Sequence, residues 1–287
     1  VLDFGVGKAG DLNHWIEAGC QMIVGLDSIK DNLDNSKDGA CNRILTRYNQ
    51  TNNNGKGGKN QAQAVKTLLD NTLMIWADCS RQIINSEAAE DDLSKYYLDV
   101  LYGRIPETSI TNAKLKHFHN VGNSFDLVVS NFSVHYFFQN ETCNKNLIEN
   151  VSKSLRSGGK FVLTTLNGEK VFEKLKYDRV IMSPNMSWKI TKKYSQETFP
   201  ASIKSLGYKI EVFVDSIGQS IDEYLVNPTF FEEIMSDYGM KLVEISDFES
   251  HFRRQTESNN VYGDMLKMDV DLQDYSFLNT YMIFEKE

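Results

Sequence analysis

The chain has 287 residues, is 41% hydrophobic and carries a formal net charge of −8. That length and apolar content suffice for one large domain, or one domain with a sizeable insertion; the negative balance argues against a broad, sequence-independent nucleic-acid binder, though not against reading a single nucleotide in a pocket. No run of 18 apolar residues reads as a bilayer span, and the four cysteines (Cys20, Cys41, Cys79, Cys143) have no CxxC spacing, which argues against a zinc site and for free thiols.

Val1 opens directly on a strand-like run, with neither an initiator methionine nor a signal-peptide pattern. The expectation is a piece of a longer polypeptide, or a chain whose disordered start is missing. Apolar spacing then predicts strands at 1–4, 22–26 and 73–77, with helices at 11–18 and 29–48 and a surface helix in the acidic stretch 86–102. TNNNGKGGKN, within 50–61, has nothing to bury and reads as a flexible loop. Its GKGGK lacks the GxxxxGK[ST] spacing, and no strand leads into it. A strand at 125–130, a helix at 142–155, a Ser-Gly-Gly turn at 157–159 and a strand at 160–165 continue the alternation. Such alternation predicts an α/β fold with a parallel, doubly wound sheet. The second half changes character, with strands at 187–192, 209–214, 220–226, 241–245 and 276–287 and a helix at 228–238. These later segments are expected to form a lid or an added sheet.

LDFGVGKAGD (2–11) places Gly5, Gly7 and Gly10 in G-x-G-x-x-G spacing between a strand and a helix. Glycines there let a ligand approach the backbone. Asp27, ending the next strand, can accept from ribose hydroxyls. The pattern fits a nicotinamide dinucleotide, S-adenosylmethionine, or a tight turn with no ligand. Asp3 favours the methyl donor, because a carboxylate beside the loop suits an ammonium and a sulfonium and repels a pyrophosphate. Asp78-Cys79-Ser80, after the third strand, can accept from an adenine amino group, and the strand order is compatible with an antiparallel final strand.

SNFSVHYFF (130–138) crowds rings at the end of a buried strand. Core packing accounts for Phe137 and Phe138; a flat aromatic ligand would account for the others. Lys192-Lys193 and Arg253-Arg254 read either as solvated charges or as contacts to a triphosphate or RNA.

The glycine loop LDFGVGKAGDL, SNFSVHYFF, LRSGGKFVLTT, DEYLVNPTFFEEIMSDYGMKLVE and FLNTYMIFEK, in that order from Leu2 to Lys286, resemble motifs of the mRNA cap guanine-N7 methyltransferase family, most of all the C-terminal methyltransferase domain of multifunctional capping enzymes of large DNA viruses. Ala9 stands where the family has a glycine, Val6 where it has a cysteine, and Asn131 where it has a glutamine. The family's lysine before the first strand has no counterpart in the chain.

The resemblance implies a Rossmann-like class I S-adenosylmethionine-dependent methyltransferase: one domain over 1–287, with a donor-binding core at 1–166, cap-binding or lid insertions at 167–275 and a closing antiparallel strand at 276–287. It implies methyl transfer to N7 of the guanine of GpppN-capped mRNA, with S-adenosylhomocysteine as product and no metal. Asp3, Gly5 and Gly7 would hold the donor's methionine part, Asp27 its ribose, and Asp78 with Ser80 its adenine, with Asn131 and Phe132 bordering it. Lys8 would meet cap phosphates, His135 and Tyr136 the guanine, Glu223 guanine N1–H and its amino group, and Tyr281 would close the pocket. Guanine N7 carries a lone pair at neutral pH, so proximity and alignment replace acid–base chemistry. Partners would be capped RNA, triphosphatase and guanylyltransferase domains upstream in the same polypeptide, and a stimulatory subunit, with no membrane. The compartment would be the cytoplasm for a viral protein and the nucleus for a cellular one. A small-molecule methyltransferase and a catalytically silent subunit of a capping complex are the alternatives.

Overall fold

The structure, a computed structural model, describes residues 1–54, 59–257 and 269–287. The chain divides into two compact units, Val1–Ser130 with Glu149–Phe161, and Asn131–Ile148 with Val162–Glu287.

The first unit begins with β1 (Leu2–Phe4), α1 (Leu12–Glu17) and β2 (Ile23–Asp27). The helix expected over 29–48 is two helices, α2 (Lys30–Asp34) and α3 (Ala40–Asn54). Asn35 ends the first: its Oδ1 accepts from the backbone N–H of Lys37 (2.9 Å) and Asp38 (3.4 Å), a side-chain turn that competes with helix continuation. Next come α4 (Lys59–Asp70), β3 (Thr72–Trp76), α5 (Asp92–Leu101), α6 (Ala113–Lys116) and β4 (Phe125–Asn131). Helices thus occupy the ends of the stretch expected as a loop, and 55–58 lies outside the described residues. The helix expected from residue 86 starts at Asp92 because Asp91 caps it, accepting from Ser94 N–H at 2.7 Å.

Beyond β4 the chain forms α7 (Glu141–Ser154), then β5 (Leu155–Leu166), which runs from the first unit into the second. The glycine pair expected as a turn lies inside this strand. Gly158 has φ 72°, and a Cβ on Gly159 would come within 2.9 Å of Arg156 O and 3.0 Å of Phe125 O. Gly158 thus takes the left-handed conformation expected of it, while Gly159 lets two backbones approach inside a strand.

In the first unit the strand order is β5-β4-β1-β2-β3. β1 pairs parallel with both β2 and β4, and β2 pairs parallel with β3. Strand order reverses at β1, the position where open α/β sheets bind ligands beyond their carboxyl ends. Leu2, Phe4, Ile23 and Leu26 are fully buried, each such side chain being worth about 1.5–3 kcal/mol. Val6, Leu12, Trp15, Leu33, Ile44 and Leu68 pack around the glycine loop and its helix.

The second unit holds α8 (Gly168–Lys174), β6 (Val180–Met182), β7 (Trp188–Lys192), β8 (Lys209–Val214), β9 (Gln219–Tyr224), α9 (Pro228–Ser236), β10 (Met240–Asp247), α10 (Phe248–Glu257), α11 (Val270–Ser276) and β11 (Asn279–Lys286). Its strands follow the orders β10-β11-β5 and β6-β7-β8-β9, the latter antiparallel throughout. The final strand is antiparallel to β10, as expected, but it starts at Asn279, since residues 270–276 are helical. Phe172, Trp188, Ile190, Tyr208, Ile210 and Val212 lie at the centre of this unit's core. No helix among the described residues is long and apolar enough to cross a membrane.

Candidate active site

In the first unit three carboxylates stand on neighbouring parallel strands: Asp3 in β1, Asp27 at the end of β2 and Asp78 just beyond β3. The turn after β1 takes Gly5 (φ 73°), Gly7 (φ 55°) and Ala9 (φ 55°) through left-handed conformations. At Ala9, where the family has glycine, the side chain is fully buried in that conformation, which costs a non-glycine residue about 1–2 kcal/mol.

Asp27 organises this loop. It is buried, and its two oxygens accept three bonds: Oδ2 from Gly7 N–H (2.8 Å), and Oδ1 from Ile29 N–H (2.9 Å) and from the Asn32 amide (3.1 Å). A carboxylate offers about four lone-pair positions, so one direction remains for a ligand hydroxyl. Asp78 Oδ1 accepts from Ser80 N–H at 2.9 Å, and its Oδ2 lies 3.5 Å from the guanidinium of Arg81. Lys8 forms an ion pair with Asp38 at 2.6 Å.

Asp3 is the most perturbed acid of this group. Burial, with Asp11 and Asp27 adding like charge, raises its pKa to about 8. It therefore holds a proton at pH 7. A buried carboxyl with this affinity for a proton fits a cationic ligand, which would replace that proton. The native state binds a proton that the unfolded chain releases above pH 3.8, so ligand-free stability falls as pH rises from about 4 to 8. Binding of a cation reverses the shift and expels the proton. Titration calorimetry with S-adenosylmethionine at pH 7, in buffers of different ionisation enthalpy, is expected to show net proton release, lost in Asp3→Asn. Equal apparent enthalpies in all buffers would remove this role.

In the second unit, β4 ends at Asn131 and Phe132 follows with φ 52°. A bulky residue in the left-handed region is strained, and such strain concentrates at functional sites. Thr164 fixes it: Phe132 N–H donates to Thr164 O (2.9 Å) and Oγ1 (3.1 Å), while the Thr164 hydroxyl donates to Asn131 Oδ1 (3.3 Å). The Phe132 ring is 54% exposed and meets Phe248 edge-on at 6.3 Å. A 3-10 turn, Val134–Phe138, then sorts its aromatics: Phe137 and Phe138 are buried, as their core reading requires, while Tyr136 is 44% exposed.

His135 in this turn is buried and Glu223 on β9 is half-buried, with His135 Nδ1 3.7 Å from Glu223 Oε2. That is electrostatic contact rather than a hydrogen bond. Burial drives the imidazole pKa down to about 3 and the carboxyl up to about 7. The imidazole is thus neutral at physiological pH, and its buried Nε2 has no hydrogen-bond partner among the described residues. The His135 ring lies 4.2 Å from that of Tyr136, tilted by 57°.

Tyr281 has partners of its own. It is partly exposed rather than buried; its hydroxyl donates to the carboxylate of Glu244, and its ring meets His251 edge-on at 6.3 Å. Phe248 and His251, on a helix that the sequence reading leaves out, are the ring neighbours it missed. The spacing of Phe248, His251 and Phe252 carries a helical signal. Among the described residues, no group of three or more His, Cys, Asp or Glu side chains is placed to hold a metal ion.

A family model described as the mRNA (guanine-N(7))-methyltransferase domain matches residues 1–287. Relatives include a probable mRNA-capping enzyme of Acanthamoeba polyphaga mimivirus, 28% identical over 264 residues that cover 88% of this chain and 20% of that protein. An mRNA cap guanine-N(7) methyltransferase of Cryptococcus neoformans is 27% identical over 301 residues, covering all of this chain and 40% of its own length. An African swine fever virus mRNA-capping enzyme is 25% identical, covering 94% and 27%. The chain thus spans less than half the length of these relatives. Among solved structures, a putative S-adenosylmethionine dependent methyltransferase from Listeria monocytogenes aligns over all of this chain and 89% of its own, with TM-score 0.50 and 14% identity, a likeness of fold.

Proposed function

The chain belongs to the mRNA (guanine-N7)-methyltransferase family, and from that premise we propose that it transfers a methyl group from S-adenosylmethionine to N7 of the guanine capping an mRNA 5′ end. The observation that carries this reading is the pairing of buried His135 with half-buried Glu223, 3.7 Å apart, next to the exposed ring of Tyr136. A carboxylate accepts from guanine N1–H and its amino group together, a match that adenine lacks.

When bound, S-adenosylmethionine supplies a methyl group on sulfonium: the N7 lone pair forms the new N–C bond as the C–S bond breaks, S-adenosylhomocysteine leaves, and no proton moves. No residue is therefore needed as a general base, and the neutral imidazole of His135 is consistent with that. Asp3, Gly5 and Gly7 hold the ammonium-bearing end of the donor, Asp27 its ribose, and Asp78 with Ser80 its adenine. Asn131 and Phe132 border the donor. Glu223 anchors guanine, and its negative charge favours the positive charge that the purine acquires. His135 and Tyr136 wall the base. Tyr281 serves as a closing contact once released from Glu244, and Lys8 reaches a cap phosphate by exchanging Asp38 for it.

The viral relatives named as mRNA-capping enzymes are much longer than this chain. In keeping with that, the chain works alongside triphosphatase and guanylyltransferase domains of a longer polypeptide, with or without a stimulatory subunit, wherever capping occurs. Purified protein given radiolabelled S-adenosylmethionine and GpppA-ended RNA is expected to place label on guanine N7. Donor binding without transfer to any GpppN end would overturn the acceptor assignment.

A further inference from the structure

A groove of about 700 Å³ opens in the second unit, along the loop that follows α8 and the segment that follows β7. Lys176, Tyr177, Arg179, Lys192, Lys193 and Tyr194 line it, with Asp178 the single carboxylate among its described lining. This is a local positive excess in a chain of net charge −8. The two rims are tied together, since Lys192 N–H donates to Arg179 O at 2.8 Å.

The cations are not all neutralised by the fold. Lys193 pairs with Glu211 (3.0 Å) and Lys176 with Glu173 (3.3 Å). Arg179 and Lys192 have no carboxylate partner among the described residues, and the Lys192 ammonium lies instead 4.8 Å above the Tyr194 ring. Tyr177 is 89% exposed, with the Lys176 ammonium 5.9 Å from its ring. A large aromatic side chain left in water beside cations is a stacking platform without its partner. Tyr194 stacks on Phe172 at 5.7 Å, which holds its ring in the wall of the groove. Cations for phosphates and an open ring for a base are the elements of single-strand recognition.

We infer that this groove binds the single-stranded body of the RNA substrate, downstream of the capped nucleotide, through its phosphates and by stacking one base on Tyr177. The inference rests on the proposed function only for RNA as the ligand. It gives the enzyme a hold on long transcripts that a cap dinucleotide does not use.

The test is fluorescence anisotropy with an uncapped, fluorescein-labelled 20-nucleotide single-stranded RNA. Arg179→Ala/Lys192→Ala is expected to weaken binding about tenfold and to flatten the slope of log K against log salt by about 1.4, or about 0.7 per lost phosphate contact. Tyr177→Ala is expected to cost about tenfold without changing that slope. In methyl transfer, the double variant raises KM for a capped 20-mer about tenfold and leaves KM for GpppA unchanged. RNA affinities within twofold of wild type in both variants overturn the inference, as does an acidic peptide of matching charge that binds as tightly as the RNA. If wild-type protein binds RNA through these residues yet methylates neither GpppA nor capped RNA, the proposed function fails while the groove stands.

Discussion

Asp27→Ala is expected to weaken S-adenosylmethionine binding at least 100-fold and to lower Tm by about 6–12 °C. Both effects come from one carboxylate. Its removal leaves the N–H groups of Gly7 and Ile29 and the Asn32 amide without their acceptor. An unsatisfied buried donor costs about 1–3 kcal/mol; water re-solvating part of the cavity brings the sum to about 3–4 kcal/mol, at about 2–3 °C per kcal/mol for a chain of this size. The Gly7 bond couples stability to binding, because it holds the turn in the left-handed conformation that brings the backbone to the ligand. Asp27→Asn keeps the shape but turns one oxygen into a donor facing another donor, so it falls between wild type and alanine. Calorimetry with the methyl donor and thermal denaturation of the same samples decide the matter. A donor Kd within threefold of wild type in Asp27→Ala would leave Asp27 a purely structural residue.

The glycine loop and the acids of the proposed donor half were legible as a candidate site because their signals are local. A glycine loop between a strand and a helix, and an acid closing the next strand, follow from turn chemistry and strand periodicity within 27 residues of the start. The acceptor half was not legible from periodicity. His135 and Glu223 lie far apart in sequence, and only the family resemblance joined them before the structure put them 3.7 Å apart. Strand parity does separate the two acids of Ile221-Asp222-Glu223: Glu223 shares a face with Ile221, whereas Asp222 points the other way and pairs with Lys209 at 2.5 Å. What misled the reading was glycine and asparagine chemistry with two outcomes. Asn35 broke a helix whose apolar spacing continued past it, and the Gly158-Gly159 pair lay in a strand, where close backbone approach rather than chain reversal required Gly159. The Phe132 strain and the open ring of Tyr177 have no one-dimensional signature, since exposure and φ are set by the folded neighbours.

Glu223→Ala is expected to lower kcat/KM for GpppA-ended RNA about 1000-fold, because a guanine edge built to donate to a buried acceptor would lose both bonds at once. Donor affinity is expected to stay within twofold, since the carboxylates proposed to hold the donor are Asp3, Asp27 and Asp78 and not Glu223. The pH dependence carries the sharper test. Burial raises the Glu223 pKa to about 7. Below that value the carboxyl is protonated and presents a donor to the guanine donors, so at saturating S-adenosylmethionine, where Asp3 has already lost its proton, kcat/KM for the RNA falls about tenfold per pH unit on the acid side and levels off above pH 7. Stability runs the opposite way. The folded state keeps a proton that the unfolded chain loses above pH 4.5, so ionised Glu223 destabilises the ligand-free protein progressively from pH 4.5 to 7 and fully above it. Glu223→Gln, which cannot ionise, is therefore expected to lose the acid limb of the rate profile and to gain in Tm over wild type at pH 8 but not at pH 5. The low His135 pKa, about 3, keeps the imidazole from supplying a limb in the same range. A wild-type kcat/KM that is flat from pH 5 to 9, with Glu223→Ala retaining more than a tenth of the activity, would remove Glu223 from guanine recognition and leave its burial beside His135 a feature of the fold alone.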